Sequence, residues 1–420
     1  MIESFRRGDW LTQARLIFYP RLLLVGFALA VAFLFVTSDG RMDIAGRPLG
    51  TDFSQVWAAG TFVLEGRPEK PFDNPAHFER ERQLFGDKTQ FYGWHYPPYF
   101  LAIAAVFALF PYALALILWQ LGTLPLYLAT VDAILRGLAP RGPVIVAALA
   151  FPAVFVNLGH GHNGFLTAGL LAGGLILLPK RSLIAGVLLG LLAYKPQFGL
   201  MLPVALLAGG YWRSIAAAAA TVAAMTGATL LAFGDKTWLA FFDSLTFARQ
   251  VVLEQGNTGW EKLQSAFAAV RMLGGSIPLA YAVQSAVTLV VALCLACLWH
   301  GRADLRLKSA ALMAATLLTT PYCLDYDMMV LGPAIAFALA HGIEGGFAPY
   351  EKSVLALTWA MPLIARTVAG LTLLPFGFLT ISLFFSTIIW RAAQDGAALP
   401  RPSPAGSAAS LSPTEPRTGS

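Results

Sequence analysis

Charge is what this sequence has least of. Only 12% of its 420 residues are Asp, Glu, Lys or Arg, about half the share of an ordinary soluble domain. With 57% hydrophobic residues and a mean hydropathy of +0.64, the chain is excluded from the soluble globular class. Short alternating strands are missing too, which excludes a membrane barrel. Cysteine is scarce, with three residues, so no disulfide framework holds the fold. Cys294 and Cys297 form a CxxC inside "LVVALCLACLWH", where His300 is the only further ligand type nearby, and this argues against redox or metal use. The net charge of +6 reads as Lys and Arg gathered in cytoplasmic loops rather than as a nucleic-acid surface.

What fills the chain instead is apolar runs of about 18 residues or more, the length a helix needs to cross a bilayer. The expected fold is an all-α polytopic membrane protein with about 12 transmembrane helices. The expected spans are 20–37, 97–135, 142–158, 164–179, 182–195, 198–210, 214–233, 276–299, 307–322, 327–342, 352–370 and 372–391. The first follows Arg6, Arg7, Arg15 and Arg21 and leads into "TSDGRMD" rather than a small-residue cleavage site. It is read as an uncleaved span with a cytoplasmic N-terminus. Residues 1–392 form one membrane domain, interrupted by hydrophilic loops at 38–96 and 234–275. The Pro-, Ala- and Ser-rich stretch 393–420 is expected to be a disordered cytoplasmic tail.

Region 97–135 crosses either twice or once behind a shallow entry helix. A single crossing puts Arg136, Arg141, Lys180, Arg181, Arg213, Arg302, Arg306, Lys308, Lys352 and Arg391 in the cytoplasm, as the positive-inside rule favours. The polar, non-basic features then gather on the extracytoplasmic side.

Those features are few. Loop 38–96 carries two amphipathic stretches, "SQVWAAGTFVLEG" and "PAHFERERQLFG", expected to lie along the membrane surface as a cap or as a lid bearing Asp52. "WHYPPYF" offers His95 and Tyr96 before an extended entry fixed by Pro97 and Pro98. "GHGHNGF" sets His160 and His162 two apart, a spacing open to metal ligation or to a simple polar turn, with Asn163 next. Lys195 and Gln197 interrupt an apolar stretch at "YKPQ". An ionisable residue there is costly unless it faces a cavity or a partner, and Pro196 breaks the helix. "PYCLDYD" supplies Asp325 and Asp327, and loop 234–275 supplies Trp260, a ring able to stack on a sugar.

The order of these pieces, "TDFSQVWAAG", "YPP", "GHNGFL", "YKPQ" and a late "PYCLDYD", resembles glycosyltransferase family 87 over roughly residues 50 to 330. Where that family carries Gln, this chain has His162. The resemblance implies a GT-C-like multispan bundle whose catalytic acid lies in the first extracytoplasmic loop, the place of Asp52. It also implies a polyprenyl-phosphate-sugar donor, with mannose as the type case, and a bacterial inner-membrane location with both termini cytoplasmic. Under that reading Asp52 is the general base, and transfer inverts the anomeric carbon. Lys195, Gln197, His95, Tyr96, His160, His162 and Asn163 are the expected donor phosphate and sugar ligands. Asp325, Asp327 and Trp260 are expected to meet the acceptor or sugar. The acceptor is a glycolipid or polysaccharide, no cofactor is required, and metal-free catalysis is favoured over a divalent ion. The competing class is a secondary transporter or lipid-linked sugar flippase, which predicts broken helices in matching positions of two halves.

Overall fold

The computed structural model describes residues 2–398, and these are helical throughout, with no strand among them. A short helix α1 (Ile2–Arg7) precedes the first long one, α2 (Gln13–Val36), which Thr12 starts by accepting the Arg15 N–H. In the first loop stand α3 (Phe53–Leu64) and α4 (Asn74–Phe85). Region 97–135 resolves into a short α5 (Tyr99–Ala108) and, beyond Pro111, a long α6 (Tyr112–Leu135). There follow α7 (Arg141–Leu149), α8 (Pro152–His160), α9 (Gly164–Leu177), α10 (Ser182–Leu191), α11 (Met201–Ala208) and α12 (Trp212–Phe233). The second loop holds α13 (Asp235–Ala248) and α14 (Ala266–Met272), and α15 (Ile277–His300), α16 (Leu305–Leu318) and α17 (Leu331–Gly345) come next. The fold closes with α18 (Glu351–Ala360), α19 (Ala365–Thr372) and α20 (Phe376–Ala398).

Among the described residues six helices are long and apolar enough to cross a bilayer, or eight when each of two bent pairs counts as one span. By length and composition alone the expected twelve are not reached. The apolar segments are present, but α9 and α16 have 14 residues each, α10 has 10 and α11 has 8. At 1.5 Å per residue even the longest of these reaches only about 21 Å, short of a hydrocarbon core of about 30 Å. The two bent pairs are α7 with α8, at 48°, and residues 351–363 with α19, at 73°. The helix also breaks at Lys195, between 3-10 turns over Leu192–Tyr194 and Pro196–Leu200, as the lysine–proline pair predicts.

α16 forms the centre. Every residue from Ser309 to Leu318 is buried, and it packs on α15, α17 and α20. A helix apolar on all sides belongs inside a bundle, not on its rim. α10 lies against α12 through Gly186 and Gly190, where a Cβ would come within 2.3 Å of the Ser214 carbonyl and 2.8 Å of the Ala218 carbonyl. These glycines therefore serve contact within the chain. At the end of α17 remote from its first turn, charges knot four helices together. Arg306 pairs with Glu344 at 2.6 Å, Arg391 with Glu351 at 3.3 Å, and His341 Nε2 lies 2.9 Å from Asp395.

Two expectations change. α3 is enclosed by protein and does not expose one polar face. It is buried from Phe53 to Gly60, its Gly60 seats against the Ala104 carbonyl of α5, and the Trp57 indole donates to the Phe110 carbonyl at 3.0 Å. Its apolar residues surround the helix instead of forming one stripe, so protein covers it on all sides. The tail boundary also moves: α20 stays helical through Ala398, and residues 399–420 lie outside the described part.

Candidate active site

Two glycines bring the first loop onto the bundle. Gly50 and Gly161 both have left-handed φ, +60° and +62°, and each would place a Cβ 3.2 Å from the other's Cα. Their contact lets the Asp52 N–H donate to the His160 carbonyl at 2.9 Å. The turn beyond α8 is closed by Asn157, whose amide donates to the His162 carbonyl (3.1 Å) and accepts the Gly164 N–H (2.8 Å).

Asp52 stands at the N-cap of α3, yet its carboxylate makes no capping hydrogen bond. An aspartate at that position ordinarily accepts a free N–H of the first turn. Here the group is left available, and the helix N-terminus still favours its negative charge. Its Oδ1 lies 3.6 Å from His160 Nδ1, which is 3.0 Å from the Thr51 hydroxyl. The Asp52 side chain is 17% exposed and that of His160 23%.

Beneath them lies a buried polar layer. The His162 ring stacks on Tyr326 with centroids 3.5 Å apart, and its Nε2 is 2.9 Å from the Tyr96 hydroxyl. His160 meets the same Tyr326 ring edge-on at 5.5 Å. Tyr326 belongs to the 3-10 turn Asp325–Val330, which runs into α17. In that turn Asp327 accepts from Lys195 at 2.6 Å, and both side chains are nearly inaccessible, 2% and 3% exposed. Asp325, itself buried, approaches Arg366 of α19 at 3.8 Å, and Arg366 is 47% exposed.

Most of the residues singled out in the sequence therefore converge: Asp52, Tyr96, His160, His162, Lys195, Asp325 and Asp327 share one region. Asn163 is buried in the same turn, with its Oδ1 unpartnered. His95 is exposed at the head of the "WHYPPYF" segment, whereas Gln197 is half-buried in the turn after Lys195. Trp260 stands in a 3-10 turn, Trp260–Lys262, that packs on α19, the helix of Arg366. Its ring carries the Arg271 guanidinium at 4.6 Å, its indole donates to the Leu253 carbonyl, and it packs on a separate cluster with Leu263 and Phe267. The two rings of the His-x-His pair diverge, one toward Thr51 and the other toward Tyr96. Among the described residues no group of three or more His, Cys, Asp and Glu side chains is arranged to hold a metal ion.

Three contributors escaped the sequence reading: Thr51, Tyr326 and Arg366. Tyr326 sits inside the "DYD" already singled out. Arg366 interrupts an apolar run just as Lys195 does, and that interruption was a usable signal.

Behind Asp52, α4 turns His77 and Glu81 inward, one helical turn apart and fully buried, with His77 Nε2 3.7 Å from Glu81 Oε1. Burial pushes Glu81 up to about 8, with the nearby Asp52 charge adding to the rise and the Tyr92 N–H opposing it. Burial pulls His77 down to about 3. Both groups are neutral at pH 7, so the contact is not an ion pair.

The model of one protein family, glycosyltransferase family 87, matches residues 94–321. The chain belongs to glycosyltransferase family 87. No curated protein and no solved structure matches it. The matched region of this family 87 protein covers Tyr96, the His160–Asn163 turn and Lys195. Asp52 lies before it, and the Asp325–Asp327 turn lies beyond it. Membership and the apolar helices together make the protein a multi-pass membrane glycosyltransferase.

Proposed function

We propose that this family 87 enzyme moves a hexose, mannose or a close relative, from a polyprenyl-phosphate donor to a glycolipid or polysaccharide acceptor. In this reading the transfer inverts the anomeric carbon and takes place on the extracytoplasmic side of a bacterial inner membrane, with both termini in the cytoplasm. One observation supports it above the others: Asp52 is a solvent-reaching carboxylate at a helix N-terminus, free of capping duty, where the first loop meets the bundle.

The acceptor hydroxyl oxygen forms the new bond to the anomeric carbon. The bond from that carbon to the phosphate oxygen breaks, and polyprenyl phosphate departs with the electron pair. Asp52 takes the hydroxyl proton, a role worth about 10²–10⁴-fold in rate. The leaving group is already an acidic phosphate and needs positive neighbours more than a proton. Arg366 suits this part because its planar guanidinium is half exposed and matches phosphate oxygens. His160 adds a second donor beside the base.

The test is transfer of labelled sugar from polyprenyl-phosphate mannose by purified protein supplied with membrane extract. Asp52→Asn should lower turnover about 10²–10⁴-fold while the protein stays folded and inserted. Unchanged turnover removes Asp52 from the mechanism. A wild-type protein that leaves the donor intact overturns the donor class, and a product with retained anomeric configuration overturns the inverting route.

A further inference from the structure

We infer that Lys195 does not touch the donor. With Asp327 it forms an internal positioning pair that sets the Asp325–Tyr326 turn opposite Asp52. The inference rests on the proposed transfer reaction for its kinetic readout. Its physical basis is independent of that reaction.

Lys195 lies where the chain between α10 and α11 leaves helical geometry. Its ammonium is 2.6 Å from Asp327 Oδ1, and almost none of either side chain reaches solvent. A buried ammonium so close to a carboxylate has its charge cancelled locally, and nothing remains to attract a phosphate beyond the Tyr326 ring. The other Asp327 oxygen accepts the Leu324 N–H at 3.0 Å, across extended backbone, and so fixes the start of the turn. The next two residues are Asp325, which faces Arg366, and Tyr326, which stacks on His162. The ammonium also lies 5.5 Å from the Tyr326 ring centroid and 5.4 Å from that of Phe198. One cation thus holds the carboxylate that shapes the turn and the ring that carries it to the site.

Removing one member leaves an uncompensated buried charge, whereas replacing both with neutral groups does not. Lys195→Met is expected to lower kcat about 10²-fold by misplacing the turn and to lower the unfolding midpoint. KM for polyprenyl-phosphate mannose should stay within about twofold, because Arg366, the proposed phosphate partner, is carried by α19 and not by the turn. The double variant Lys195→Met/Asp327→Asn keeps an acceptor for the Leu324 N–H and should recover most of kcat and of the midpoint. Lys195→Arg keeps the charge but overfills the site, so it should lose kcat as well.

A donor KM raised tenfold in Lys195→Met, with no recovery in the double variant, assigns Lys195 to the phosphate and overturns the inference. Near-normal activity of Lys195→Arg does the same, and that variant carries the test if Lys195→Met does not fold. Should the wild type consume no lipid-phosphate sugar, the donor reading fails, and the unfolding midpoints still test the pair. Additive losses from the two single substitutions would then overturn it.

Discussion

Gly161 decides where the acid stands. It holds φ +62°, and a Cβ there would come within 2.7 Å of the Phe53 Cβ. Gly161→Ala adds left-handed strain of about 1–2 kcal/mol and pushes Phe53, with Asp52 beside it, off the bundle. Transfer should fall by about an order of magnitude in protein that still inserts and folds. Wild-type activity in that variant would mean that the glycine contact does not place the base. Asp52, Tyr96, His160, His162, Lys195, Asp325 and Asp327 could be read in the sequence because polar groups among apolar neighbours are expensive and need a reason. Trp260 could be placed only in its loop, because a loop aromatic does not announce which of its faces is already covered, here by Arg271. Arg366 escaped because the run 352–370 was read as an unbroken span, and the bend at Ile364 that frees it is a tertiary feature.

The first loop is the element with its own response to pH. Glu81 holds its proton up to about 8 when folded, against 4.5 when free, so between those values the folded loop binds the extra proton and loses stability as pH rises. His77 holds a proton only below about 3 when folded, against 6.5 when free, so between those values stability grows as pH rises. The two slopes cancel from 4.5 to 6.5, and packing of α4 should be firmest there. From pH 6.5 to 8 only the Glu81 slope remains, a loss of about 2 kcal/mol. Limited proteolysis of residues 74–85 across a pH series should show a resistant plateau and increasing cleavage toward pH 8. Glu81→Gln should abolish that alkaline increase. Equal cleavage of the wild type at pH 5.5 and pH 8 would rule the buried pair out as its cause. The alternation of "PAHFERERQLFG" made α4 readable as an amphipathic helix, with residues 77, 81 and 85 inward. That α3 is sheathed in protein was not readable, since much of the covering surface comes from α5 and from Tyr112 of α6, distant from it in sequence.

At the scale of the molecule, the helical run Asp325–Gly345 works as a ruler. Its 21 residues span about 30 Å, the depth of the hydrocarbon core. The Asp325–Asp327 turn stands at one end and the Arg306–Glu344 pair at the other. The two polar zones should therefore face opposite compartments. In protein cleared of Cys294, Cys297 and Cys323, a membrane-impermeant thiol reagent applied outside should label Arg366→Cys. It should label Lys308→Cys only after the membrane is opened. The reverse pattern would turn the whole assignment over. Hydropathy located nearly every apolar segment, yet it counts residues and not unbroken rise, so it does not tell a short or broken helix from a full span. Short or broken helices are tolerated where protein satisfies their freed backbone groups.

The bond from the Asp52 N–H to the His160 carbonyl is made by main chain at both ends. Of all replacements at the two positions only proline at 52, which has no N–H, would delete it, so sequence drift can remodel the rest of the loop without unmooring Asp52.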